Sequence, residues 1–171
     1  SNHVSVRIKW VDSEKVTPEN SDGLFSDVNG ILVPGGFGDR GIDGKIYALT
    51  YARTHNIPYL GLCLGMQLAI VEFARNVLGF TDAHSVELNP STTHPVIDLM
   101  PDQNGVEDIG GTLRLGSYPC VLTKDSLAYR LYGEETIHER HRHRYEVNND
   151  FRSALTAGGM KLSGLSPDGR I

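Results

Sequence analysis

Cys63 lies between Gly61 and Gly65, after the apolar stretch Ile57 to Leu62 and before the segment Gly65 to Leu78. This short run constrains the fold more than any other feature of the chain. A strand that reverses abruptly into a helix leaves no room for side chains two positions either side of its apex, and it strains the apex backbone itself. The pattern is a glycine–x–nucleophile–x–glycine elbow with cysteine at the apex. Met66, Ala69, Ile70, Phe73, Ala74 and Val77 fall on one predicted helical face, and Gly79 reads as the helix stop. The turn lifts the sulfur to a helix N-terminus, where the dipole and free N–H groups favour thiolate over thiol. The Leu64 N–H is then placed to stabilise a developing oxyanion. A lone cysteine in a βα turn is more often a buried structural residue, but strand, both glycines and helix together favour the nucleophile. Cys120 has no such setting and reads as a core or hairpin residue.

The neighbouring segments extend the pattern. Gly30 to Val33 is a short apolar run ending in Pro34-Gly35-Gly36-Phe37-Gly38, which predicts a buried strand entering a tight turn. Residues 42, 46, 49 and 52 of the segment Ile42 to His55 share one helical face, and Pro58 opens the following strand, where a missing N–H is tolerated. Strand, helix, strand, helix in that order predicts parallel strands with helical crossovers and a ligand site along their carboxyl edge. The Gly-rich loop after the first of these strands would sit on that edge, with Gly36 offering a second backbone donor. Its spacing fits neither a dinucleotide fingerprint nor a P-loop. Upstream, Val4 to Trp10 alternates apolar and polar residues as a half-buried strand does. Downstream, residues 80–111 are rich in Pro, Asp, Asn and Gly. They are followed by a predicted hairpin at Thr112 to Leu122, a short helix, a strand from Ile137 to Val147, a helix near Phe151 to Ala157 and a last strand around Lys161 to Leu165. No repeat or linker divides the chain, so the expectation is one α/β domain over 1–171.

Composition removes several function classes. The 171 residues are 39% hydrophobic and 22% charged with net charge -5, which suits a folded core and gives no basis for nucleic-acid or membrane-surface binding. No apolar run approaches the roughly 20 residues of a membrane span, and no basic-then-apolar leader is present. Two cysteines are too few for a disulfide scaffold or a four-thiolate zinc site and suit a reducing cytoplasm. The histidines 138, 141 and 143 could suggest a metal. Arg140, Arg142 and Arg144 interleave with them, however, and no carboxylate or thiolate accompanies them at ligand spacing, so no metal site is expected.

Longer strings carry a resemblance. Pro34-Gly-Gly-Phe-Gly38 with Gly61-Leu-Cys-Leu-Gly-Met-Gln67 resembles the class I glutamine amidotransferases. Glu72-Phe-Ala-Arg-Asn76, His94-Pro-Val-Ile-Asp-Leu-Met-Pro101, Gly110-Gly-Thr-Leu-Arg-Leu-Gly116 and Glu139-Arg-His-Arg-His-Arg-Tyr-Glu-Val-Asn148 narrow it to the glutaminase domains of the cytidine triphosphate synthase family. The likeness covers nearly the whole chain. It implies a three-layer, flavodoxin-like α/β fold, a mostly parallel central sheet flanked by helices, and incomplete at both ends. It also implies hydrolysis of glutamine to glutamate and ammonia through a Cys63 thioester, with Gly36 and Leu64 as oxyanion donors and Gln67, Glu87 and Arg144 holding the substrate. Free glutamine carries an ammonium and a carboxylate, so an acid and a guanidinium suit it. Taken alone, Glu87 reads as a solvated surface residue. Arg142 and Arg144 share a strand face by period two, so either can reach the carboxylate, and Arg144 is favoured.

The resemblance further implies no cofactor or metal in this domain. ATP, Mg and UTP belong to an N-terminal synthetase domain outside the chain, GTP is an activator facing the loop Phe37 to Gly41, and the full-length enzyme is a homotetramer while these residues alone are monomeric. It places the general base and its acid in a His-x-Glu segment past Ile171 and a first strand before Val4. On that expectation residues 1–171 alone do not turn over glutamine appreciably. His94-Pro95-Val96 begins like that segment, but Val96 cannot orient an imidazole, and His94 reads as structural. Two other readings compete: a free-standing cysteine hydrolase of γ-glutamyl substrates, and a non-catalytic α/β binding module.

Overall fold

The parallel pairing that the elbow requires is formed. In the computed structural model, which describes residues 2–99 and 114–171, the chain divides into two compact units, Ser1–Leu68 and Ala69–Ile171. The first begins with a 3-10 turn at Ser13–Lys15, capped by the Asp12 side chain accepting from the Glu14 N–H. It continues through α1 (Ser21–Phe25), β1 (Ile31–Val33), α2 (Ile42–Thr54), β2 (Tyr59–Gly61) and the start of α3 (Leu64–Asn76). Strands β1 and β2 pair in parallel with Ile31, Leu32 and Val33 opposite Tyr59, Leu60 and Gly61. The Leu62 N–H donates to Val33 O at 3.0 Å, which fastens the elbow's entry to the end of β1.

The stripe expected on α2 is the buried one: Ile42, Ile46, Leu49 and Ala52 are all inside. A second face of the same helix, through Ala48 and Tyr51, packs with Val16 and Phe25 and with the partly buried Ile31 and Ile57. Burying such side chains contributes about 1.5–3 kcal/mol for each large one. Tyr51 satisfies its hydroxyl on Asp22 at 3.0 Å.

The strand expected over Val4 to Trp10 does not form. Among the described residues no ladder includes it, and Val4, Val6, Ile8 and Trp10 are 66–89% exposed. Alternation marks a face to be covered, but a strand exists only through its hydrogen-bonded neighbour.

In the second unit, β3 (His84–Ser85) and β4 (Pro95–Leu99) are followed by β5 (Arg114–Leu122), α4 (Leu127–Tyr132), β6 (Thr136–His143), β7 (Tyr145–Val147), α5 (Arg152–Ala157) and β8 (Gly164–Leu165). They make two three-stranded sheets, ordered β3-β4-β7 and β6-β5-β8. The hairpin expected within Thr112 to Leu122 is instead one long strand, β5, paired antiparallel with β6 from Arg114↔His143 to Val121↔Thr136. Its connection holds α4 rather than a tight turn, and Thr112 and Leu113 lie outside the described residues. The strand expected from Ile137 to Val147 is two strands in different sheets, broken at Arg144. The last strand is only two residues long. Helix α3 ends at Asn76, leaving Val77 41% exposed rather than core-facing, and Gly79 at φ 78° supplies the predicted stop.

Candidate active site

Cys63 has φ +54°, in the left-handed region that β-carbon sterics disfavour. For a residue other than glycine this costs on the order of 1–3 kcal/mol and persists only where the surroundings fix it. The surroundings are visible. A Cβ on Gly61 would lie 2.5 Å from the Gly65 carbonyl carbon and 2.6 Å from the Met66 nitrogen, while one on Gly65 would overlap the Val33 carbonyl oxygen. Both glycines are therefore required by close backbone approach. Downstream, the Gly65 N–H bonds Leu62 O at 2.9 Å and the Gln67 N–H bonds Cys63 O at 3.2 Å, so Cys63 sits immediately before the first helical residue, Leu64.

Two further groups shape this elbow that the sequence reading left unassigned. A Cβ on Gly35 would come within 3.2 Å of Cys63 Cβ and 3.8 Å of its Sγ, so the Pro34 to Gly38 loop lies against the nucleophile's side chain. Gly36 follows directly, with its own Cα facing the Leu64 side chain. The Tyr59 hydroxyl donates to Gly65 O at 2.8 Å, and burial pushes that phenol's pKa well above its ordinary value. Only the repeated glycines of residues 34–38 could have signalled the first; nothing in the sequence marks Tyr59. Gln67, one turn into α3, is buried.

The loop Phe37 to Gly41 borders a depression of about 270 Å³ whose lining includes Glu14, Asp39 and Asp43. Arg40, from the same loop, pairs with Glu14 at 2.7 Å, which offsets that carboxylate's charge.

The remaining expected substrate contacts lie in the second unit. Arg144 occupies the bend between β6 and β7, and its Nε is buried with no hydrogen-bond partner among the described residues. A buried guanidinium donor without an acceptor costs about 1–3 kcal/mol or more, so the position wants an anionic oxygen. Its guanidinium carbon also stands 5.9 Å from the centre of the Tyr145 ring. Arg142 is exposed on the outer face of β6. The shared face predicted for Arg142 and Arg144 fails because the strand breaks between them. Glu87 follows β3, with its backbone N–H held by Ser85 Oγ at 3.3 Å. Partial burial raises its carboxyl pKa, and the positive charge of Arg144 opposes that rise.

Beside Arg144 is a cluster not foreseen as such. Half-buried His141 and His143 lie on the inner face of β6, with their Nδ1 atoms 3.1 Å apart. Buried Glu146 of β7 stands with Oε1 3.8 Å from His143 Nδ1 and 3.2 Å from Arg114 Nη1. Burial, then the Arg114 charge, lowers the His141 pKa to about 4. His94 is held as a structural residue: its Nδ1 pairs with Asp82, and its ring stacks on Phe80 with centroids 4.5 Å apart.

The family model for glutamine amidotransferase class-I matches residues 1–171. Among curated relatives, the chain is 61% identical over all 171 residues to a CTP synthase of Clostridium acetobutylicum, of which it covers 32%. It is 62% identical over 166 residues, 97% of the chain, to a CTP synthase of Halalkalibacterium halodurans, of which it covers 31%. The chain thus spans about a third of the length of these relatives. Among solved structures, the glutaminase domain of Trypanosoma brucei CTPS with bound acivicin superposes with a TM-score of 0.89 at 38% identity, covering 98% of this chain and 65% of that one. With the elbow, its glycine loop and a match over its whole length, the chain belongs to the class-I glutamine amidotransferase family.

Proposed function

We propose that the chain is the glutamine-hydrolysing part of a CTP synthase, with Cys63 as nucleophile. The observation that carries this reading is the left-handed backbone of Cys63, held at the start of α3 by two glycines that admit no side chain. The sulfur attacks the side-chain carboxamide carbon of glutamine, and the Leu64 and Gly36 N–H groups receive the developing oxyanion. The C–N bond breaks, nitrogen leaves as ammonia with the added proton, and a γ-glutamyl thioester remains. Water then cleaves the C–S bond, returning the thiol and releasing glutamate. Arg144 takes the substrate carboxylate, Glu87 its ammonium, and Gln67 lies one helical turn from the sulfur. The Nε of Arg144, buried with no hydrogen-bond partner among the described residues, supports its choice over Arg142.

In this reading the ammonia passes to a synthetase domain that aminates ATP-activated UTP with Mg, in a cytoplasmic homotetramer activated by GTP. The relatives named CTP synthase, three times as long as the chain, support that assignment. The test is to incubate the chain with an electrophilic glutamine analogue and to map the adduct by mass spectrometry, with a glutamine-protected control. Selective, protectable labelling of Cys63 over Cys120 is expected. Equal labelling of both thiols, or labelling that glutamine does not suppress, overturns the assignment.

A further inference from the structure

We infer that His141, His143 and Glu146 form a binding site for a late first-row transition ion such as Zn²⁺. One ligand atom from each of the three residues lies within 4.8 Å of the other two. Ligands held about 2.0–2.1 Å from a tetrahedral zinc stand about 3.3 Å apart. The observed 3.1 Å between the imidazole nitrogens and 3.8 Å between His143 and Glu146 bracket that spacing. Two imidazoles and a carboxylate are the donor set of many three-ligand zinc centres, with a fourth position left for water.

The arginines that argue against a cation in this stretch are disposed differently by the fold. Arg140 and Arg142 alternate onto the exposed face of β6, opposite His141 and His143, as does His138. The carboxylate missing from the histidine run comes from the next strand, past the Arg144 bend. Among the described residues, Arg114 sets a guanidinium against the cluster. It bonds Glu146 Oε1, so its charge is offset, and a carboxylate keeps further lone pairs for a metal. An outer hydrogen bond of this kind orients a ligating carboxylate. A bound ion would tie β6 to β7 across the bend that carries Arg144.

The experiment is a Zn²⁺ titration of the chain, free of any polyhistidine tag, in competition with a chromophoric chelator. Because Cys63 and Cys120 are also zinc ligands, it is repeated with both replaced by serine. One Zn²⁺ per chain is expected in both backgrounds. His143→Ala and Glu146→Gln should each weaken it at least about tenfold, while His138→Ala, from the other face of the same strand, leaves it unchanged. Since Glu146 is buried, the half-buried His141→Gln is the third variant, with circular dichroism confirming its fold. Co²⁺ in place of Zn²⁺ should give the intense visible absorption of a four-coordinate site with nitrogen and oxygen ligands. The proposal is overturned if the serine background binds no zinc, if His141→Gln and His143→Ala bind as the parent does, or if His138→Ala loses as much as they do.

Discussion

The Cys63 elbow and the β6–β7 bend both place a charged or reactive group at a break in regular structure, but they do so by opposite means. At the elbow the break is local. Gly61, Cys63 and Gly65 are neighbours in sequence, and the strain at φ +54° is held by backbone atoms that a Cβ on either glycine would strike. At the bend the break is made by distant pairing. β6 is held by β5 across α4, and β7 by β4, so Arg144 is exposed to two sheets' registers at once. A local device tolerates almost no substitution and little depends on the rest of the chain. A pairing device tolerates many surface changes but fails if the pairs that anchor it fail.

The largest effect expected from breaking this contrast is at the buried Arg114–Glu146 pair, which joins β5 to β7 beside the bend. Glu146→Ala leaves a guanidinium only 9% exposed without its carboxylate. Removing one partner of a buried pair costs about 3–5 kcal/mol, to be read as a fall in the urea midpoint. A loss no greater than that of an exposed pair such as Lys124–Glu135 would mean the pair does not anchor the bend.

Next comes Gly65→Ala, which sets a methyl group on the Val33 carbonyl oxygen. Overpacking of this kind costs about 1–3 kcal/mol. The elbow should open as it is relieved, so labelling of Cys63 by the glutamine analogue drops with the stability. Gly38→Ala, where no atom crowds an added Cβ but φ is +79°, should cost about 1 kcal/mol or less and spare the labelling. Equal losses from the two would mean that space at Gly65 is not what holds the elbow.

This same contrast explains what could be read from the sequence. The elbow, α2 with its buried stripe at 42, 46, 49 and 52, and the stop at Gly79 depend on residues within one or two turns, and the period and glycine signals carry them directly. The Ile137 to Val147 run has uniform strand character, and nothing inside it shows that its two ends join different sheets. The shared face predicted for Arg142 and Arg144 failed there, and the Glu146 ligand was invisible for the same reason: it meets His143 only because β7 belongs to another sheet. Val4 to Trp10 failed in the reverse sense, with a sound alternation and no partner strand among the described residues. Glu87 owed its place entirely to the family resemblance, since a lone acid in a polar loop carries no local signal.

Substrate affinity is a finer test of the bend. Arg144→Gln removes the guanidinium whose Nε lies buried without an acceptor among the described residues. A charged hydrogen bond is worth about 1.5–3 kcal/mol, so the glutamine concentration that protects Cys63 should rise by about tenfold to a hundredfold. Arg142→Gln, on the exposed face, should change it by less than about twofold. The reverse ranking would return the carboxylate contact to Arg142.

The smallest effect concerns a third kind of anchoring, in which a side chain rather than a ladder closes a loop. Asp82 accepts from the Thr93 N–H and hydroxyl and pairs with His94, and these bonds, the Thr93 backbone first, hold its carboxyl well below the ordinary 3.8. A carboxyl depressed on folding contributes stability that is fully present above its unfolded pKa and is lost as pH falls through and below it. The unfolded chain then binds the proton that the folded chain still refuses. Asp82→Asn, which keeps the shape and removes the charge, should therefore unfold at a lower temperature than the parent near neutral pH, with the gap narrowing as pH drops below about 4. The carboxylate is solvent-accessible and screened, so the gap is small, and salt should shrink it further. A difference that stays constant across the acid range would mean that the loop is closed by shape and by the stacking of His94 on Phe80, with the charge of Asp82 contributing nothing.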